Sequence, residues 1–199
     1  QRLGRSVAVD PRLLEQYDCA TPETCEEPGE IELLDDMPVF AQAAIGQFEV
    51  KATPLQMALV AAAVANDGLV PRPSLVTSVI DANGSIVHRS SLDPWRRAMA
   101  PEAAADLREA MREVVTSGTG GSAAVDGLIV GAKTGTAELG TTVESTHAWM
   151  IAFAGTDPER PEVAIAVLVE ADEGVGQQTG GRIAGPVVRT MIEAWMAAA

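Results

Sequence analysis

Hydrophobic and polar positions along the chain divide into two unlike stretches. Over roughly the first forty residues they show no period, and prolines are scattered among them. Order is expected from near Val39, where Phe40 to Ile45 forms a short apolar run closed by Gly46. Thr53-Pro54-Leu55-Gln56 then opens a helix. Thr53 can cap it, Pro54 suits the first helical position, and Gln56 completes a capping box. The helix runs through Ala61-Ala62-Ala63 and stops at Asn66-Asp67-Gly68. It is apolar nearly all round, which predicts burial on every side.

Two short strands follow, Ser74 to Asp81 and Ile86 to Arg89, with Asn83-Gly84 as the hairpin turn between them. A second helix starts at Pro101 and runs to about Thr116, with Leu107, Met111 and Val114 or Val115 on its apolar face. Gly118-Thr119-Gly120-Gly121 ends it and reads as a flexible loop. Three strands come next: Leu128 to Ala137, His147 to Ala154, and Val163 to Val169. The last is apolar at every position, the pattern of a central strand covered on both faces. A closing helix runs from about Gly181 to Met196, with Ile183, Val187, Met191, Ile192 and Trp195 as its buried stripe. Pro186 falls in its first turns or kinks it. The late strands are joined by short loops without crossover helices. The fold class is therefore α+β, an antiparallel sheet packed between helices. Residues 1–38 are an irregular acidic segment, and 39–199 carry the helices and the sheet.

The 199 residues include 14 basic and 28 acidic side chains, a net charge of −14. This acidity excludes a general nucleic-acid binder, which needs a basic face for phosphates. Nine of the acids lie between Glu15 and Asp36, with no base among them, so the charge is concentrated in one solvated segment. The same segment holds both cysteines, Cys19 and Cys25. They could form a local disulfide, as would suit an exported protein, or stand as two unpaired thiols in a loop. The longest uncharged run, Ala52 to Asn66, is shorter than the roughly 20 residues of a membrane-crossing helix. No ligand cluster for a metal is visible and no cofactor is expected. The chain starts at Gln1 rather than methionine, so a segment upstream is expected.

Only two lysines are present, Lys51 and Lys133. Lys133-Thr134-Gly135-Thr136 lies at the end of the apolar strand Leu128-Ile129-Val130, after the glycine-rich loop. Thr134 and Thr136 are alternate residues and share a face. Gly135 between them leaves room for another backbone to approach. The result is a cationic, hydroxyl-lined strip with accessible main-chain donors. It suits an extended peptide ending in a carboxylate, added to the sheet edge as a further strand.

This strip resembles the K-T-G motif of the penicillin-binding proteins and serine β-lactamases. The likeness continues in Ala44-Ile45-Gly46-Gln47, in Thr53-Pro54-Leu55-Gln56-Met57-Ala58, and in Ala65-Asn66-Asp67-Gly68 leading to Arg72-Pro73. Lys133 to Glu138 followed by His147-Ala148-Trp149 looks like the K-T-G strand and its partner. Thr179-Gly180-Gly181 through Gly185-Pro186 resembles the start of the family's last helix. The nearest likeness is to class B members, the monofunctional D,D-transpeptidases of actinobacteria. It covers the chain from about Ala43 onward, and the first forty residues match poorly.

The resemblance implies roles. Lys133 supplies positive charge in the cleft, and Thr134 and Thr136 hydrogen-bond the substrate's terminal carboxylate, or that of a β-lactam antibiotic. Thr136 N–H is half of an oxyanion hole. The reaction is acyl transfer through a serine ester between peptidoglycan stem peptides ending in D-Ala-D-Ala. Further partners are the upstream part of the same domain and other cell-wall synthesis or division proteins. The location is extracytoplasmic, on an N-terminal anchor. His147 and Trp149 read as structural, and Glu138 as a solvated rim residue.

The family's other two motifs are missing. Three residues before Lys51 stands Phe48, and three before Lys133 stands Val130, so no S-x-x-K exists. No serine is followed two residues later by asparagine, so S-x-N is absent too. Both motifs are expected upstream of Gln1, and the 199 residues alone are expected to be inactive. Two alternatives remain. The chain is a non-catalytic binding or scaffolding homologue, or Gly127 to Thr134 is an imperfect phosphate loop of a nucleotide-binding protein, with Ala132 in place of its second glycine.

Overall fold

A computed structural model describes residues 37–47, 50–90, 93–138, 146–171 and 179–198. The expectations for the acidic stretch, Cys19 and Cys25 lie outside the described residues. The chain divides into two compact units, Gln1–Val50 and Lys51–Ala199. In the first, the apolar run at Phe40 belongs to helix α1 (Met37–Ala44). Gly46, at φ +80°, turns the chain after it, and the Gln47 amide donates to Gln42 O at 3.0 Å.

The second unit opens with helix α2 (Pro54–Ala65). Its capping box is formed: the Gln56 amide donates to Thr53 Oγ1 at 3.2 Å, and the Thr53 amide to Gln56 Oε1 at 2.8 Å. Two left-handed residues stop it, Asp67 at φ +48° and Gly68 at φ +81°. A side chain at Gly68 has no room, since its Cβ would stand 2.1 Å from Met99 O. Burial on every side is not what α2 shows. Ala61, Ala63 and Val64 are buried, but Leu55 and Val60 are 58% and 45% exposed. The sheet and the next helix cover one side of the cylinder only.

Four short strands follow α2. Strand β1 (Leu69–Pro71) pairs antiparallel with β4 (Pro94–Arg97), and between them β2 (Ser78–Ile80) and β3 (Ile86–Arg89) form the expected hairpin. The Asp81 carboxylate shapes its turn, accepting from the amides of Asn83 and Ser85. The sequence did not predict β1 or β4. Each has three or four residues and a proline, too little for a period to register.

Helix α3 (Pro101–Thr116) has the expected bounds and buries Met111 and Val115 as expected, but Ala104 and Arg108 complete the stripe in place of Leu107. Leu107 is 42% exposed, and the arginine takes the inner position. Its guanidinium donates to Val64 O at 3.0 Å, Asp67 Oδ1 at 2.9 Å and Glu159 Oε2 at 3.3 Å. Arg108 thereby ties the end of α2 to the Glu159 turn. A buried guanidinium is tolerated when each face finds a partner.

The main sheet is antiparallel and three-stranded, in the order β5 (Ile129–Glu138), β6 (Thr146–Gly155), β7 (Val163–Val169). Strand β7 was expected at the centre. Among the described strands it stands at an edge, and β6 is central. The all-apolar run of β7 reflects the helices on its two faces rather than strands on its two edges. One face of the sheet packs Val130, Ala132, Met150, Ala152, Ile165 and Val167 on Ala184, Val188 and Ile192. The other packs Ile151 and Phe153 on Ala61 and Val64 of α2 and Met111 of α3. The α+β sandwich of helix, sheet and helix is the predicted class.

The chain closes with a π-helical turn (Gly180–Ala184) leading into α4 (Gly185–Ala198), with Pro186 in its first turn. The buried stripe is Ala184, Val188 and Ile192, of which only Ile192 belongs to the expected one. Ile183, Val187 and Met191 are 36%, 42% and 45% exposed, and Trp195 is half-buried. The start of the helix is closely packed: a Cβ at Gly185 would lie 1.9 Å from Ser122 Oγ and 3.2 Å from Met150 Cε.

Candidate functional site

Strand β5 changes character along its length. Val130, Gly131 and Ala132 are buried, Lys133 and Thr136 are exposed, and Thr134 and Gly135 are half-buried. The helices therefore cover the first part of the strand, and the Lys133-Thr134-Gly135-Thr136 strip emerges beyond them. Among the described strands β5 pairs with β6 alone. Pairing with β6 is regular throughout, from Ile129 opposite Gly155 to Glu138 opposite Thr146. No bulge breaks the alternation, so Thr134 and Thr136 share a face, and it is the face covered by α4. Lys133 and Gly135 project from the opposite face, that of α2 and α3. The ammonium and the hydroxyls thus lie on the two faces of one strand. Lys133 Nζ donates to Thr134 O at 2.6 Å.

A backbone does approach Gly135, and it is this chain's own. A Cβ at Gly180 would stand 2.0 Å from Trp149 O, 2.8 Å from Gly135 O and 3.0 Å from Gly135 N. It is Gly180, not Gly135, whose missing side chain permits the contact. A Cβ at Gly135 would meet the Trp149 Cβ at 3.1 Å, which is tight but on a side chain. The next residue, Gly181, lies as close to the loop after α3: a Cβ there would be 2.3 Å from Thr119 O.

That loop, expected to be flexible, is tied down. The Gly120 amide donates to Val114 O at 2.9 Å, and the Ser122 hydroxyl donates to Gly181 O at 2.5 Å. Thr119 Oγ1 lies 2.9 Å from Thr134 Oγ1. Sequence reasoning missed Thr119. The only local signal was a threonine set between glycines, which reads equally well as a plain helix stop.

His147 Nδ1 accepts from the Ala171 amide at 2.9 Å, joining β6 to the end of β7. Trp149 is half-buried opposite Gly135, and Glu138 is exposed on the rim. Gly46 and Gln47 belong to the first compact unit. The phosphate-loop alternative lacks its geometry. Residues 129 to 138 are strand, and no helix opens after Lys133. A groove of about 720 Å³, lined by Asn66, Asp67, Asp157 and Arg160 among others, contains none of Lys133 to Thr136. Among the described residues no group of three His, Cys, Asp or Glu side chains could hold a metal ion.

A family model described as the penicillin binding protein transpeptidase domain matches residues 18–193. The chain belongs to this family. The match starts inside the acidic stretch, which the motifs alone left unassigned. The peptidoglycan D,D-transpeptidase PbpA of Mycolicibacterium smegmatis is 42% identical over 163 residues, 80% of this chain and 32% of the relative. PbpA of Mycobacterium tuberculosis is 40% identical over 165 residues, 81% of this chain and 33% of the relative. The chain therefore spans about a third of the length of these relatives. Penicillin-binding protein A from M. tuberculosis, solved as an imipenem acyl-enzyme complex, superposes with a TM-score of 0.68 at 38% identity, covering 81% of this chain and 34% of that one. M. tuberculosis penicillin-binding protein 3 in complex with aztreonam shares the fold at a TM-score of 0.65 and 23% identity, over 80% of this chain and 38% of that one. Among the described residues no helix is long and apolar enough to cross a membrane.

Proposed function

We propose that the chain is the C-terminal, substrate-binding portion of a peptidoglycan D,D-transpeptidase domain that also binds penicillin. The observation that carries this reading is the Lys133-Thr134-Gly135-Thr136 strip itself, which leaves the core on a strand that, among the described strands, pairs with β6 alone. A stem peptide ending in D-Ala-D-Ala lies along that strand. The hydroxyls of Thr134 and Thr136 donate to its terminal carboxylate, and Lys133 adds the positive charge that draws it in. The serine nucleophile and its lysine come from an S-x-x-K upstream of Gln1, and an S-x-N lies between that motif and this chain.

The serine oxygen attacks the carbonyl of the penultimate D-alanine. Thr136 N–H and the nucleophile's own N–H hold the negative oxygen that forms. The peptide bond breaks, D-alanine leaves with the proton taken from the serine, and a serine ester remains. An amine of a second stem then attacks the ester, forms the new amide and returns the proton to the serine. A β-lactam enters by the same carboxylate contacts and stops at the ester. The reaction takes place outside the cytoplasmic membrane, on a domain held there by an N-terminal segment.

A fluorescent penicillin tests this reading. The full-length protein labels covalently, and residues 1–199 alone do not. A complete upstream sequence with neither S-x-x-K nor S-x-N would leave the non-catalytic alternative, and labelling of 1–199 alone would overturn the account of the nucleophile.

A further inference from the structure

We infer that Thr119, in the loop between α3 and β5, is a positioning residue for Thr134. Its hydroxyl donates to Thr134 Oγ1 and so reserves the single hydroxyl proton of Thr134 for the bound carboxylate. The inference rests on the transpeptidase reading of the β5 strip.

The two oxygens are 2.9 Å apart, and either can donate. Each hydroxyl has one proton and two acceptor sites, and the proton rotates to suit its surroundings. If Thr134 donates to Thr119, it has no proton left for an anion. If Thr119 donates, Thr134 keeps its proton, and the chain from Thr119 through Thr134 to the carboxylate polarises in one direction. An arriving carboxylate accepts only, so it selects the second arrangement.

The surroundings hold both partners still. Thr134 is β-branched, which restricts its χ1 rotamers. Its hydroxyl meets Thr119. The loop is pinned by the Gly120 amide, which donates to Val114 O, and by the Ser122 hydroxyl, which donates to Gly181 O. Thr119 O lies beneath Gly181, too close for any side chain there. The start of the last helix and the loop after α3 thus pack closely on each other.

The test uses the full-length protein and penicillin G, with the non-covalent dissociation constant and the acylation step resolved kinetically. Thr119→Val should weaken the non-covalent complex about tenfold, the worth of one hydrogen bond, and leave the acylation step within about twofold. Thr119→Ala should match it, and Thr119→Ser, which keeps the hydroxyl, should stay within about twofold of the unsubstituted protein. In a Thr134→Val background Thr119→Val should cost nothing further, because it acts through Thr134. An unchanged Thr119→Val, or an equal loss with and without the Thr134 hydroxyl, would overturn the inference while the transpeptidase reading stood. Failure of the unsubstituted protein to acylate would remove both.

Discussion

Arg108 and Lys133 are two cations put to opposite uses. The Arg108 guanidinium is buried and answers to a backbone carbonyl and two acids, with Asp67 and Glu159 side chains 60% and 71% exposed. Such solvated acids contribute under about 1 kcal/mol each. Asp67→Asn and Glu159→Gln should therefore shift thermal unfolding little. Arg108→Ala should cost about 2 kcal/mol, because it strips the buried Val64 O of a donor and removes the packed stem. Equal melting temperatures for Arg108→Ala and Asp67→Asn would show that the buried contacts carry no weight. Lys133 is exposed, and its nearest recorded partner is Thr134 O on its own strand. Lys133→Ala should leave unfolding within about 0.5 kcal/mol of the unsubstituted protein, as surface changes do. In the full-length protein it should slow penicillin acylation roughly 10- to 100-fold, the value of a charge-assisted contact. A large loss of stability with unchanged acylation would make Lys133 a structural residue.

Among the elements, the final helix depends most on what it lacks. Gly180 lets its start lie directly on the backbone of Gly135 and Trp149. Gly180→Ala should destabilise the fold by about 1–3 kcal/mol, as overpacking does, and should displace the helix from β5. Thr53→Ala removes half of the α2 capping box and should cost about 1 kcal/mol in a denaturant titration. These two sites also show what the sequence could reveal. The α2 cap is a local device, written in four consecutive residues, and it was legible. So were the bounds of α3 and the three long strands. The phase of α4 was not. Ile183, Val187 and Met191 make as good a row as Ala184, Val188 and Ile192, and only the packed structure shows that the second row is buried. The apolar run of β7 showed that both its faces are covered but could not show its place in the sheet. Thr119 was illegible for a similar reason, since its meaning lies in a contact with a residue 15 positions away.

At the scale of the molecule, helices cover both faces of the sheet and leave the far end of β5 beyond them. The Lys133-Thr134-Gly135-Thr136 strip could be singled out in the sequence because its chemistry and its family likeness are contained in consecutive residues. Its setting came from the fold: hydroxyls on the α4 face, the ammonium on the other, and β6 as the one pairing partner of β5 among the described strands. The chain belongs to the penicillin binding protein transpeptidase family, yet it spans about a third of its relatives, and neither of its lysines lies in an S-x-x-K. The account therefore makes this chain the half of an active site that binds, with the attacking half supplied from upstream. Peptide mapping of the full-length protein after reaction with penicillin G tests that division most directly. The account predicts one covalent adduct, on the serine of an S-x-x-K that precedes Gln1. An adduct on any residue from 1 to 199, or no adduct at all, would contradict it.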